Sequence, residues 1–340
     1  LSQPVSVVFT WPTVAGATGY TFQYNTTGGS CASGSWTTPF TNQNTTSFTA
    51  PGTHNGTIYG CARAINSAGT GAWSAMVSLA IPLWTNFVLQ NNWIDYSTSS
   101  WATAAYTKTN AGLVVLKGLI KSGTARTTVA TLPPGYRPAQ NLIFASVASS
   151  ANARIDVYTS GDINITTGSG DLSLESVRFM PAGTTFTNVA PPFYNGWTTY
   201  SDPGYAIIPQ YNQDSTGRIN LQAMISSGTN TDGTAMFIMP ANLRPTLYAH
   251  LPANVCGSYG VFAVDRTLTG EIESKAGGNC WHSLHTIYYS DARASGGTYN
   301  TSVCTTQWCN LPSVNSWVYY GAPFSTVEYT KASDNMVSLK

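Results

Sequence analysis

The chain has few charged side chains, no long apolar run and almost no helical periodicity. Charged residues make up 9% of its 340 residues, and 15 Lys and Arg against 14 Asp and Glu leave a net charge of +1. No Lys/Arg cluster provides the field that holds phosphates or anionic lipids, so we expect no nucleic-acid partner. Because no stretch of about 18 apolar residues is present, we expect no membrane insertion.

Cysteine is also sparse, and its pattern lacks the common metal motifs. The six cysteines include no CxxC pair, and none has the His/Cys spacing of a zinc site. An even number favours disulfides in an extracellular protein, although scattered thiols in a reduced protein remain an alternative because spacing does not give connectivity. The disulfide candidates, paired in chain order, are Cys31, Cys61, Cys256, Cys280, Cys304 and Cys309.

What the chain does contain is a series of short apolar or alternating segments typical of β-strands. Segments such as 5–9, 113–116 and 154–158 are bounded by Gly, Pro, Asn and Ser. This pattern predicts an all-β fold. A proline at Pro82 ends the first strand series before a new aromatic-led segment, so we place the first domain at 1–82.

Residues 1–82 resemble a fibronectin type III domain. The resemblance rests on 9–11, on 19–24 and on 59–74, which matches the family's late strand and its Asn-x-x-Gly turn. It implies a two-sheet sandwich with Trp11 and Tyr59 in the core, and with Cys61 on the same strand face as Tyr59. It also implies a spacer or binding module without catalytic chemistry.

From Trp93 onward the chain repeats itself. The segment 93–138 returns as 197–245, with an aromatic opening, a strand pair that ends in Ser-Gly-Thr and a proline-rich corner that ends in Arg-Pro. The two segments stay in step through 161–179 and 270–288. We therefore predict two copies of one β-sandwich domain, 83–190 and 191–312, the second with inserted Cys-bearing loops.

A third copy begins within 313–340. Its opening, Trp317 to Tyr320, repeats the aromatic start, and 328–331 with 336–340 repeat the first strands of the first copy. Because the chain stops inside this copy, we expect the native polypeptide to continue beyond Lys340. Leu1 is not an initiator methionine and opens directly on a strand pattern, so we also expect a segment before it.

The repeat resembles the β-rich distal domains of tailed-phage tail fibres and related receptor-binding proteins. The motif blocks that carry the resemblance are 113–124, 132–138 and 161–179. It implies tandem jelly-roll-like β-sandwiches assembled as a homotrimer on the virion tail, outside the cell. The implied partners are other tail or baseplate proteins and a glycan or protein receptor on the host surface, with no cofactor.

Carboxylates that might form a hydrolytic pair have simpler structural explanations. Asp162 and Glu271 occupy equivalent turn positions beside glycines, where polar side chains stabilise turns. The remaining candidates are Asp171, Glu175 and Glu273. No nucleophile elbow or phosphate loop accompanies them, so we expect no enzyme activity.

Two other pairs of residues that suggest a site also favour a framework role. His282 and His285 are three apart, which on a strand points them to opposite faces, so we expect no metal site there. Arg137 and Arg244 recur at the same position of the proline corner in both copies. We expect both arginines to hold neighbouring carbonyls or a subunit contact rather than a ligand.

Binding is the function that the aromatic residues of the second copy favour. Rings set among Ser, Gly, Asn and Thr suit the flat faces of sugars, although each ring could instead belong to a core. The candidates are Tyr259, Trp281, Tyr299 and Trp308. We expect a structural and adhesive tail-fibre segment that binds host glycan through several weak sites. The alternatives are a bacterial cell-surface or secreted adhesin and a non-catalytic part of a glycan-degrading enzyme.

Overall fold

The protein is all-β. The computed structural model describes residues 7–50, 56–81, 84–97, 99–149, 151–168, 170–214, 217–231, 234–244, 249–264, 270–276, 280–289, 309–310, 328–331 and 337–339. In these ranges the only helix is one 3₁₀ turn, Ala241–Leu243, and no helix there has the length and hydropathy of a membrane span. The chain divides into two compact units, Leu1–Trp84 and Thr85–Lys340.

The described residues of unit 1 form seven strands in two sheets. One sheet pairs β1 with β4, and the other has the order β3-β2-β5-β6, with β7 also paired to β5. The strands are β1 Val7–Thr10, β2 Gly19–Asn25, β3 Thr37–Gln43, β4 Ser47–Ala50, β5 Gly56–Asn66, β6 Gly69–Thr70 and β7 Val77–Ile81.

The core of unit 1 is aromatic, and it corrects one prediction. Trp11 stacks on Phe22 with ring centroids 5.2 Å apart, as expected for a core residue. Ile58, however, is fully buried in that core, whereas Tyr59 is only partly buried and is not part of it. Because strand neighbours point to opposite faces, Tyr59 lies with Cys61 on the face away from Phe22.

Unit 2 begins with eleven strands, β8–β18, that we call copy 1. Their sheets have the orders β18-β11-β10-β8 and β13-β16-β15-β14-β17-β12-β9. The strands are β8 Thr85–Asn86, β9 Ile94–Asp95, β10 Ala105–Lys108, β11 Val114–Lys117, β12 Leu119–Lys121, β13 Thr128–Thr131, β14 Leu142–Ala148, β15 Ala151–Val157, β16 Asp162–Thr167, β17 Leu172–Ser173 and β18 Arg178–Phe179.

Copy 2 comprises β19–β28 and repeats the pairings of copy 1 within one curled ten-stranded sheet. Its strands are β19 Thr187–Asn188, β20 Thr198–Thr199, β21 Ile207–Gln213, β22 Arg218–Ser226, β23 Ala235–Ile238, β24 Ala249–Val255, β25 Ser258–Val264, β26 Glu271–Ala276, β27 His282–Ser283 and β28 Thr286–Tyr289. Copy 2 starts earlier than the predicted residue 191, since Thr187–Asn188 already pairs with β21.

One glycine explains why copy 1 has two sheets and copy 2 has one. Gly118 has φ +116°, and a Cβ there would collide with the backbone of Ala104. It separates β11 from β12. Copy 2 has Ala223 at this position, fully buried, and β22 runs through it without a break.

The core of copy 1 extends into copy 2. Ile207 and Met224 of copy 2 belong to the buried cluster that includes Leu116, Phe144 and Phe179 of copy 1. In addition, Ser283 Oγ donates a buried hydrogen bond of 2.6 Å to the carbonyl of Ile143. The two copies therefore pack as one body rather than as separate beads.

A third set of strands repeats the start of copy 1. The strands β29 Cys309–Asn310, β30 Glu328–Lys331 and β31 Val337–Leu339 form a sheet in that order. Tyr329 pairs with Leu339, as Tyr106 pairs with Leu116 in copy 1. The register of this hairpin is thus the same in both places.

Candidate binding surface

The hairpin tip between β24 and β25 presents the most exposed of the predicted binding residues that the structure describes. A two-residue turn, Cys256-Gly257, joins the strands, with φ values of 56° and 84°. Positive φ at both positions fits the right-handed twist of paired strands. Tyr259 follows the turn and is 50% exposed. Its ring is therefore available to a ligand.

A disulfide fixes this tip. Cys256 is bonded to Cys280 with Cα atoms 5.7 Å apart, and the Cys256 N–H donates to the carbonyl of Trp281 at 3.1 Å. Copy 1 has Ser149 at the equivalent turn position, where its N–H donates to the carbonyl of Asp171 at 2.6 Å. Copy 2 thus keeps the backbone hydrogen bond of copy 1 and adds a covalent link, which stabilises a loop of this length by about 3 kcal/mol.

Trp281 is a contact between the copies rather than a free-standing ring. Its indole is partly buried against the core of copy 1, and the guanidinium carbon of Arg154 lies 5.1 Å from its ring centroid. Tyr200 lies beside it, with ring centroids 6.1 Å apart. A sugar could not stack on the face that Arg154 occupies.

Arg154 belongs to a polar cluster between the copies that the sequence analysis missed. Its Nε and Nη2 each donate to Asp156 at 2.6 Å, and Tyr205 of copy 2 donates its hydroxyl to the same carboxylate at 2.9 Å. Burial by itself lowers the pKa of Arg154, but the hydrogen bond and charge of Asp156 outweigh it, so the net shift is upward. Burial is the largest cause that raises the pKa of Tyr205, and the contacts of its hydroxyl with Tyr158 and Asp156 raise it further. The cluster clamps the copies together.

The sequence did carry a signal for this cluster. Arg154 and Asp156 are two apart in a strand, so their side chains lie on the same face. A buried Asp beside an Arg indicates an ion pair that faces another element. The partner Tyr205, however, lies 49 residues beyond Asp156, and no local pattern identifies it.

Two of the predicted binding residues, Tyr299 and Trp308, lie outside the described residues. So does Cys304, and the predicted Cys304–Cys309 bond with it. The structure does contain the Cys31–Cys61 bond, with Cα atoms 6.2 Å apart.

Carboxylates that were considered for hydrolysis have structural partners. Asp162 accepts hydrogen bonds from Thr131 at 2.7 Å and Ser160 at 2.9 Å, which agrees with a turn role. Glu175 accepts from the N–H of Gly118 at 3.2 Å. The Asp171 backbone makes two hydrogen bonds with Ser149: its N–H donates to Ser149 Oγ at 3.2 Å, and its carbonyl accepts from the Ser149 N–H at 2.6 Å. Glu273 forms an ion pair with Lys275.

The histidine and the two arginines singled out in the sequence contact neighbouring rings and carbonyls. His282 is fully buried against Trp197, with ring centroids 4.8 Å apart, and the described residues contain no metal-binding group of three or more His, Cys, Asp or Glu. Arg137 Nε donates to the carbonyl of Leu132 at 2.9 Å. Arg244 Nε makes the same bond in copy 2, to Met239 at 2.8 Å. The prediction that these arginines hold carbonyls is confirmed.

No protein-family model matches the chain, and a search of curated proteins found no match.

Proposed function

We propose that the protein is a structural and adhesive segment of a phage tail fibre that contacts glycan on the host cell surface. The proposal includes an extracellular place on the virion tail and no catalytic step. The observation that carries it is the packing of tandem copies into one body, together with a hairpin of the same register at the start of a third copy. In the proposed fibre, each repeat packs on the next and lengthens the shaft.

Stiffness between the copies comes from specific contacts. The shared core at Ile207 and Met224 excludes water from the junction, and the Arg154–Asp156 pair with Tyr205 fixes its orientation. Modules joined by flexible linkers need neither a shared core nor a polar cluster of this kind. A fibre that must transmit force and hold its tip at a distance needs both.

Adhesion is assigned to the disulfide-tied hairpin tip. Tyr259 is exposed there, on a turn that the Cys256–Cys280 bond holds in place. A rigid aromatic ring loses little entropy on binding a sugar face. A single ring binds weakly, so several binding sites along the fibre and on neighbouring chains would supply the avidity.

Homotrimer formation is part of the proposal. It is supported by apolar side chains of copy 1 that stay exposed in the single chain, among them Val88 at 84% and Trp101 at 56%. Burial between subunits would remove this surface from water. Light scattering coupled to size-exclusion chromatography of the full chain should give three times the monomer mass. A monomer at micromolar concentration would overturn this part.

A glycan array tests the adhesive part. The full chain, labelled and applied at several concentrations, is expected to bind a subset of bacterial surface glycans, and Tyr259→Ser should weaken that binding at least tenfold. Val147→Ser is the matched control, because Val147 is 57% exposed on the equivalent hairpin of copy 1. Equal binding by the two variants would remove Tyr259 from the proposal.

A further inference from the structure

Arg63 is the only charged side chain of unit 1. Residues 1–84 contain no Asp, Glu or Lys. A partly buried cation in a protein is usually paired with a carboxylate. Unit 1 has no side chain that can supply one, so the positive charge of Arg63 has no counter-charge within the unit.

The surroundings of Arg63 hold its guanidinium in place without satisfying it. The guanidinium carbon lies 4.4 Å from the centroid of the Trp73 ring, in a cation–π contact. The Nε atom is buried and has no hydrogen-bond partner among the described residues. Thr21, its neighbour across β2 and β5, is 2% exposed, and its hydroxyl likewise lacks a partner in that part of the chain. A preorganised donor is therefore left over.

The Arg63 side chain lines a pocket. A cavity of about 330 Å³ lies beside the guanidinium. Its lining includes two indoles, one cysteine of the disulfide and polar side chains, namely Trp36, Trp73, Cys31, Gln23, Ser33 and Arg63. A neighbouring opening of about 670 Å³ shares Cys31, Arg63 and Trp73. The accessible walls of the smaller cavity are mostly polar, which suits a ligand with many hydroxyl groups.

The pocket walls are fixed before any ligand arrives. The Cys31–Cys61 bond ties the loop that carries Ser33 to β5, and Gln23 Nε2 donates to the carbonyl of Cys31 at 2.7 Å. Trp36 Nε1 donates to the carbonyl of Ser30 at 3.0 Å. A ligand would not have to order this loop, so little of its binding energy would be lost.

We propose that this pocket binds a carboxylate-bearing saccharide, such as a uronic acid residue of an acidic polysaccharide. Arg63 receives the carboxylate, because a planar guanidinium matches carboxylate oxygens and is weakly hydrated. The Trp36 indole takes the C–H face of the sugar ring, since Arg63 already occupies a face of Trp73. The hydroxyl of Ser33 lies within the same pocket for the ring hydroxyls. This site is separate from Tyr259 and does not rest on the tail-fibre proposal.

Calorimetric titration of the full chain with trigalacturonate tests the site. Binding is expected for the free acid, with at least tenfold weaker binding of its methyl ester and a loss of affinity as salt rises. Inorganic phosphate at the same concentration separates a general anion site from a sugar site. If phosphate binds as well as trigalacturonate, or if the ester binds as well as the acid, the proposal is overturned.

Two substitutions at Ser33 keep the test independent of folding. Ser33 is exposed on the pocket wall, so Ser33→Asp places a carboxylate beside Arg63 and should abolish binding of trigalacturonate without loss of thermal stability. Ser33→Asn has nearly the same shape and should retain binding within threefold. Arg63→Lys should weaken binding at least tenfold, since it keeps the charge but loses the planar fork. Unchanged binding by Ser33→Asp would place any saccharide elsewhere.

Discussion

The indole ring of Trp93 lies against Gly123 so closely that a Cβ at residue 123 would overlap the ring. Trp197 and Gly228 have the same relationship in copy 2. The aromatic opening and the Ser-Gly-Thr motif are therefore two halves of one contact, separated by about thirty residues in the sequence. This explains why both motifs recur together.

Gly123→Ala tests this contact. The added methyl group must displace the buried Trp93 ring, so we expect the free energy of unfolding to fall by about 1–3 kcal/mol. Urea titration followed by tryptophan fluorescence measures it. Gly204→Ala is the control, because a Cβ there would meet the ends of the Asn141 and Asp202 side chains. Equal losses in both variants would mean that the backbone effect of replacing a glycine, and not the Trp93 ring, sets the cost.

A buried ion pair in copy 2 occupies the position of an uncharged Thr–Leu pair in copy 1. Arg218 Nε lies 2.9 Å from Asp214 Oδ2, and both side chains are at most 2% exposed. At the equivalent hairpin of copy 1, the Leu113 N–H donates to Thr109 Oγ1 at 3.2 Å. One framework thus accepts either a buried charge pair or a Thr–Leu pair.

Asp214→Ala should destabilise the protein by about 3–5 kcal/mol, because it leaves a buried arginine without that carboxylate. The double variant Asp214→Thr, Arg218→Leu, which copies the residues of copy 1, should recover most of that loss. Urea midpoints of both variants and of the wild type provide the comparison. A double variant as unstable as the single one would show that the two hairpins are not equivalent.

Much of the framework could be predicted from the sequence, because the repeat exposes which residues hold it. Arg137 and Arg244 recur at fixed positions, and both hold carbonyls as expected. The error at Tyr59 has a different origin, since a shift of one residue along a strand moves every side chain to the other face. Neither propensity nor alternation distinguishes Ile58 from Tyr59.

Contacts between the copies could not be predicted in the same way. Trp281 looked like a candidate for a loop that stacks on sugar, yet its partner Arg154 lies in the preceding copy. Nothing in a local pattern states which face of one copy meets the next. The exposed position of Tyr259, by contrast, follows from a two-residue turn that the sequence does mark with Cys256-Gly257.

Asp156→Asn should loosen the junction between the copies. The substitution removes the charge that Arg154 and the Tyr205 hydroxyl both need, and hydrogen bonds to charged groups contribute about 1.5–3 kcal/mol. We expect the free energy of unfolding to fall by about 2 kcal/mol. Relative to the wild type, amide exchange should accelerate more in β15, which carries Asp156, than in β11. Asp171→Asn makes the same chemical change outside the cluster and should shift stability by less than about 0.5 kcal/mol. Equal amide exchange in Asp156→Asn and Asp171→Asn would contradict a role of Asp156 in holding the copies together.

Acid should destabilise the protein through its buried histidines. Burial lowers the pKa of His282 to about 4 and that of His285 to about 3, and the ring nitrogens of His285 have no hydrogen-bond partner among the described residues. In the unfolded chain both pKa values return to about 6.5. The unfolded state therefore binds more protons below pH 6.5, so stability is complete above that value and falls as the pH drops toward 4, by up to about 1.4 kcal/mol per pH unit for each histidine.

His285→Leu isolates one of these contributions. His285 lies 5.8 Å from Phe144 between ring centroids, so an apolar side chain fits its surroundings and should keep stability at pH 7 within about 1 kcal/mol of the wild type. Between pH 6.5 and 5 the variant should lose stability less steeply than the wild type, with a difference in slope that rises from about 0.7 to about 1.4 kcal/mol per pH unit. The exposed His250 provides the control as His250→Gln, which should keep the wild-type slope. Parallel slopes for His285→Leu and the wild type in urea titrations would show that His285 is already protonated in the folded protein at pH 5.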